Sequence, residues 1–232
     1  ARVRPLVIES DDWGLAGFVP RAGSWTGLDR AALATGRFPD VYWESTLEDS
    51  AMVADLVAVL RRFRGRDGLP AVMQPNYIVS SLHWTTDRGW RRYDLPDLPP
   101  QYERPGLWRA VRAGIAAGVW YPEFHGVWHY DPERRRTMGL RTPLARRVTE
   151  RGILVFPGSE SAWELGRWRA AGDLAEELDA GLRIFRDVFG RPARSAIATD
   201  YTWDGRVEDL WESRGLRIIQ AKREQRDRGH GK

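Results

Sequence analysis

Cysteine is absent from the 232-residue chain, which excludes disulfides, cysteine-ligated zinc, iron–sulfur clusters and thiol nucleophiles. Any metal must therefore be held by histidine and carboxylate, and histidine is itself scarce at four residues. No apolar run approaches the roughly 18 residues that a membrane-spanning helix needs. A dense basic face is missing as well: the formal charge is only +4, and the charged residues are spread along the chain, so nucleic acid is not an expected partner. The opening "ARVRPLVIES" runs straight into an apolar segment without a leader-like hydrophobic region, which favours a cytoplasmic location and leaves secretion open if a leader has been removed.

Tryptophan is abundant, at 12 residues. Several of them, including Trp13, Trp25, Trp84, Trp90, Trp128 and Trp203, stand beside polar or glycine positions rather than in apolar stripes. Most are expected to pack in the core, while Trp13 and Trp128 are candidate flat faces for stacking sugar rings.

Strand and helix signals alternate along the chain. "PLVIES" (5–10) reads as a first strand, and "GLDRAALATG" (27–36) as a short helix within a long loop. Residues 47–64 form a helix, with Val53, Leu56, Val57 and Leu60 on one face, Glu48 and Asp49 in the first turn and arginines in the last. A strand over 69–80 is interrupted or ended by Pro75, and a Trp-, Pro- and Arg-rich loop over 81–106 follows. Next come a helix at 106–118, a strand at 119–126, helical segments within 132–151 broken at Pro143, and a strand at 152–156. A helix at 173–190, strand 194–200, helix 206–215 and strand 216–221 complete the series, ahead of a charged tail over 222–232. This alternation predicts one α/β domain over 1–232, with a parallel sheet covered by helices as a barrel or an open doubly wound sheet.

Functional groups in such folds gather at the C-terminal edge of the strands. Two segments end there, "SDDWG" after the first strand and "FHGVWHYD" after the strand at 119–126. Asp11 and Asp12 are adjacent like charges, and a cation held by one would offset their repulsion. His125 and His129 share a face if their corner is a helical turn, about 6 Å apart along the axis. One aspartate with two imidazoles and open positions is the first shell of a catalytic divalent metal.

"ESDDWG" followed by "EFHGVWH" resembles the polysaccharide deacetylase superfamily, the NodB-homology or carbohydrate esterase family 4-like enzymes. The late run "FGRPARSAIATDYTWDGRVEDLWESRGLRII" is similar to that family's third motif region, so the resemblance extends over about residues 5–220. It implies a distorted (β/α) barrel of the glycoside hydrolase/deacetylase type, open or incomplete at its C-terminal edge. The implied activity is metal-dependent removal of an acetyl or other acyl group from an N- or O-acetylated carbohydrate. Asp12, His125 and His129 would hold one divalent ion, zinc first and cobalt, manganese, nickel or iron as alternatives. Asp11 would be the general base, and the backbone amide of Tyr201 would help bind the oxyanion. The family's third-motif arginine is replaced here by "IATDY", which brings Asp200 into the substrate-binding set, and its late acid histidine has only His230 as a counterpart. Two rival readings remain: a non-catalytic glycan binder using the Trp-rich segment 81–108, and a glycosidase pairing Asp11 with Asp200, Asp204 or Glu123.

Overall fold

A computed structural model describes residues 7–15, 18–33, 43–154, 164–165 and 170–221. Five parallel strands form one sheet: β1 (Ile8–Gly14), β2 (Met73–Ile78), β5 (Glu123–Gly126), β6 (Ser195–Ile197) and β7 (Ile218–Gln220), in that spatial order. A separate antiparallel hairpin pairs β3 (Ser80–Thr85) with β4 (Gly89–Asp94). Helix α1 (Ser50–Arg62) links β1 to β2, and the hairpin with α2 (Leu107–Ala116) links β2 to β5. From β5 to β6 the chain runs through α3 (Pro132–Met138), α4 (Pro143–Glu150) and α5 (Ala171–Phe189), and α6 (Gly205–Ser213) leads from β6 to β7.

The strand order follows the chain without reversal, so the sheet is wound in one direction and has no doubly wound switch point. It is also strongly curled. In a flat sheet β2 and β7 would lie about 14 Å apart, at about 4.8 Å per strand step. Yet the side-chain amides of Asn76 on β2 and Gln220 on β7 meet at 2.8 and 3.0 Å. This curvature is barrel-like, although among the described residues β1 and β7 are not paired, so a closed barrel is not formed there.

Residue alternation explains the layering. Asn76, His125 and Ser195 face the inside of the curl, while Tyr77, Phe124 and Ala196 join the buried core on the helix side. Val53, Val57 and Leu60 of α1, Leu107 and Val111 of α2, and Phe185 and Phe189 of α5 belong to the same core, as expected of helices with one apolar stripe. Asp49 caps α1 by accepting from the Met52 amide at 2.8 Å, and Pro132 and Pro143 open α3 and α4 at first-turn positions. Gly190, with φ 70°, ends α5.

Several sequence expectations change. The first strand runs on through both aspartates to Gly14. Pro75 lies inside β2, where its missing N–H coincides with an irregularity in the β1–β2 ladder. The expected loop over 81–106 contains most of the β3–β4 hairpin, and the short helix near 27–36 is a 3-10 turn at Ala31–Leu33, residues 34–36 lying outside the described set. Residues 152–154 are not strand, and 155–156, like the tail 222–232, lie outside the described residues.

Candidate metal centre

The β1–β2 register creates the site. Ser10 pairs with Pro75 and Trp13 with Tyr77, so Asp11 and Asp12 together oppose Asn76 alone. This is a β-bulge, which re-aims side chains at a sheet rim. Asp12 takes φ 63°, a left-handed conformation that aspartate tolerates better than most residues. The two carboxylates are adjacent in sequence because a bulge turns them to different partners.

Asp12 Oδ1 lies 3.0 Å from His125 Nε2 and 2.8 Å from His129 Nε2. His125 sits within β5, and His129 follows in an irregular turn, not on the helical turn expected from the spacing. Gly126, with φ 146°, makes the bend between them, and the two imidazoles stand nearly perpendicular with centroids 5.4 Å apart. The edge of Phe18 packs on His129 at 5.3 Å. Burial by itself would raise the Asp12 pKa, but the charge and hydrogen bonds of His129 and His125 outweigh it and hold the carboxyl well below the usual range. For His125, burial works against the charged form, and the hydrogen bond and charge of Asp12, helped by Asp11, overcome it and raise the pKa.

The donor set fits a divalent cation. An ion bound at about 2.0–2.2 Å separates neighbouring ligand atoms by about 3.0–3.4 Å, and these three side chains offer one oxygen and two nitrogens all within 4.8 Å of one another. Imidazole and carboxylate together suit zinc and other first-row divalent metals. His125 Nδ1 is buried without a well-formed hydrogen bond among the described residues, so the customary outer partner of a ligating imidazole is missing at that nitrogen.

Asp11 stands beside this triad with different partners. Its Oδ1 accepts from Asn76 Nδ2 at 2.8 Å and its Oδ2 from the Tyr201 hydroxyl at 3.3 Å. Asp200 and Tyr201 are consecutive left-handed residues, with φ 53° and 52°, a conformation that costs of order 1–3 kcal/mol per residue. The Tyr201 N–H donates to Ala198 O at 2.9 Å. The phenol, not the backbone amide implied by the family resemblance, is the Tyr201 group that reaches the site. Asp200 is exposed, and His230 lies outside the described residues.

The tryptophan candidates are engaged in packing. Trp13 is half-buried against Trp120 and Tyr77, at 5.0 and 6.3 Å between centroids, and donates to Ser10 Oγ. Trp128 is buried, donates to Glu177 Oε2 at 3.0 Å and carries the Arg92 guanidinium 4.9 Å over its ring. The glycosidase partners are engaged too. Glu123, at the opposite end of β5 from the triad, accepts from Arg191 and from the Arg194 and Ser195 amides, and Asp204 caps α6.

Sequence reasoning missed Asn76, Gln220 and Glu164. Glu164 is buried and accepts from the Val127 amide at 2.9 Å, in space left because Gly126 has no side chain. For Asn76 a signal existed: Gln74 and Asn76 alternate through an otherwise apolar strand, marking one polar face.

No protein-family model matches the chain, and no curated protein sequence does. Among solved structures it is similar to IcaB from Ammonifex degensii, at 13% identity and TM-score 0.41 over 75% of this chain and 56% of that one. It is also similar to a polysaccharide deacetylase from Bacillus cereus, at 11% identity and TM-score 0.38 over 71% of this chain and 34% of that one. The chain thus spans about half and about a third of these two structural neighbours.

Proposed function

We propose that the protein is a metal-dependent hydrolase that removes an acetyl or other acyl group from an N- or O-acetylated carbohydrate, on a curled sheet of the distorted-barrel deacetylase type. The observation that carries this reading is the Asp12, His125 and His129 cluster with a second carboxylate, Asp11, held separately beside it. A divalent cation held by the triad would supply Lewis-acid polarisation of the acyl carbonyl and lower the pKa of water toward neutrality. Asp11 is the general base. Asn76 and Tyr201 occupy one site on each of its oxygens, and the remaining lone pairs are available for the proton of the attacking water. Water adds to the acyl carbon, the bond to the sugar nitrogen or oxygen breaks, and the departing group leaves with a proton as amine or alcohol. A sugar substrate is supported by the motif resemblance, not by tryptophan faces, since Trp13 and Trp128 are packed.

Two measurements test this. Protein prepared without chelator should contain close to one equivalent of divalent metal, which Asp12→Ala and His125→Ala lose. Asp11→Asn should keep the metal and lose about 10²–10⁴-fold in acetate release from acetylated chito-oligosaccharides. Full turnover in excess EDTA, or a metal-free protein after zinc addition, would overturn the reading.

A further inference from the structure

The inside of the curled sheet, where barrels usually pack branched apolar side chains, carries a chain of amides. Asn76 Nδ2 donates to Asp11 Oδ1 at 2.8 Å and to Gln220 Oε1 at 2.8 Å. Gln220 Nε2 returns a hydrogen bond to Asn76 Oδ1 at 3.0 Å and donates to Ser195 Oγ at 2.9 Å. Gln74 Nε2 adds a longer contact to Asn76 Oδ1 at 3.3 Å. We infer that Asn76 and Gln220 form a neutral amide clamp that sets the orientation of Asp11, with Tyr201 on the carboxylate's other oxygen. Gln220, on the last described strand, is thereby a positioning residue for chemistry at the first. The proposal rests on the reading of Asp11 as the general base.

Donor and acceptor bookkeeping makes the clamp directional. A carboxamide has two N–H donors and one acceptor oxygen. Both donors of Asn76 are used, one on Asp11 and one on Gln220, and its oxygen receives from Gln220 and Gln74. Both donors of Gln220 are used as well. Turning the Asn76 amide over would aim its oxygen at the Asp11 carboxylate and leave two N–H groups facing the Gln220 amide nitrogen. Turning Gln220 over would break both amide–amide bonds and the bond to Ser195. One arrangement satisfies every group, and because Asn76, Ser195 and Gln220 are all buried, water does not offer an alternative partner.

The position matters because Asp11 lies in a bulge, without a regular backbone partner across the ladder. Its carboxylate therefore takes its direction from side chains. An amide and a phenol orient it without adding a cation beside the metal triad. The link also joins β1 to β2, β7 and β6 in a line that crosses the sheet interior, so strand curvature and base geometry are set by the same hydrogen bonds.

The test combines spectroscopy and kinetics on the whole chain. In Gln220→Met, which keeps side-chain length but removes the amide, the Asn76 side-chain N–H signals and the Asp11 carboxyl ¹³C signal should both move, although Gln220 does not bond Asp11. With zinc loaded and acetylated chito-oligosaccharide as substrate, kcat should fall by about 10- to 100-fold, as expected for a misplaced reacting group. KM should stay within about twofold of wild type and metal content should be unchanged. Placed in an Asp11→Asn background, Gln220→Met should add no further loss, because the two act as one unit. Ser195→Ala, which removes only the outer anchor of Gln220, should give the same pattern at smaller amplitude and serves if Gln220→Met melts early. An unmoved Asp11 signal, a change confined to KM, or independent losses in the double variant would overturn the clamp. If wild type releases no acetate, the proposed function fails while the carboxyl signal still decides the clamp.

Discussion

Glu48 precedes α1 with its carboxylate almost entirely out of water, and a long contact from the Gly14 amide at 3.4 Å is the hydrogen bond it receives from another residue's backbone. Burial pushes its pKa up from 4.5 to about 7, with the Gly14 hydrogen bond and the Arg104 charge acting the other way. The folded chain then holds a proton that the unfolded chain releases above pH 4.5, so stability is fully present below that pH and declines until about pH 7. Glu48→Gln should remove this slope and stabilise the protein at neutral pH, by at most on the order of 3 kcal/mol. Urea unfolding of both forms at several pH values measures it; parallel curves would contradict the assignment. His83 acts in the opposite direction: burial, helped by the Arg135 charge, lowers its pKa to about 3, so its contribution is lost as pH falls from 6.5 toward that value. Neither role is legible in sequence. Glu48 reads as a helix-start acid, yet Asp49 is the cap, and His83 reads as a loop residue, yet it is buried in β3.

At the scale of elements, the bulge in β1 is decisive. Gly14 closes it with φ 81°, and a Cβ there would stand 2.5 Å from Ile78 O and 2.9 Å from the Tyr77 ring. Backbone cannot move aside cheaply, so Gly14→Ala should cost about 1–3 kcal/mol and loosen the register that presents Asp11 and Asp12. Equilibrium unfolding with a parallel cobalt titration checks both effects; weakened metal binding without lost stability would place the strain elsewhere. Helices were the most legible elements: α1, α2, α5 and α6 lie within a few residues of their apolar periodicity. The β3–β4 hairpin was not, because Ser80, Ser81 and His83 look like loop residues while being buried. Their partners are Asp94, across the hairpin, and Tyr130, whose hydroxyl meets both Ser81 Oγ and the Leu82 amide. Polarity satisfied by distant groups leaves no trace in local pattern.

At the scale of the molecule, the proposed ligands come from β1 and from the β5 segment, with Asp12 and His125 113 positions apart. A cation that binds only the folded chain should stabilise it by about 2.7 kcal/mol at a hundredfold excess over Kd, a rise of roughly 5–10 °C in Tm for a chain of this size. Zinc added to metal-free protein should produce that rise in wild type and not in His125→Ala; an equal rise in both would point to binding elsewhere. The amino-acid order alone determined the strand–helix alternation, the exclusion of cysteine chemistry and the short list of Asp11, Asp12, His125 and His129. Those follow from side-chain periodicity and chemistry, which are local. Only the tertiary structure decided that a bulge separates the two aspartates, that the Tyr201 phenol and not its amide faces Asp11, that Trp128 is covered, and that Gln220 reaches Asn76 across the curl. Each depends on strand register and sheet curvature, which arise from pairing between segments far apart in the chain.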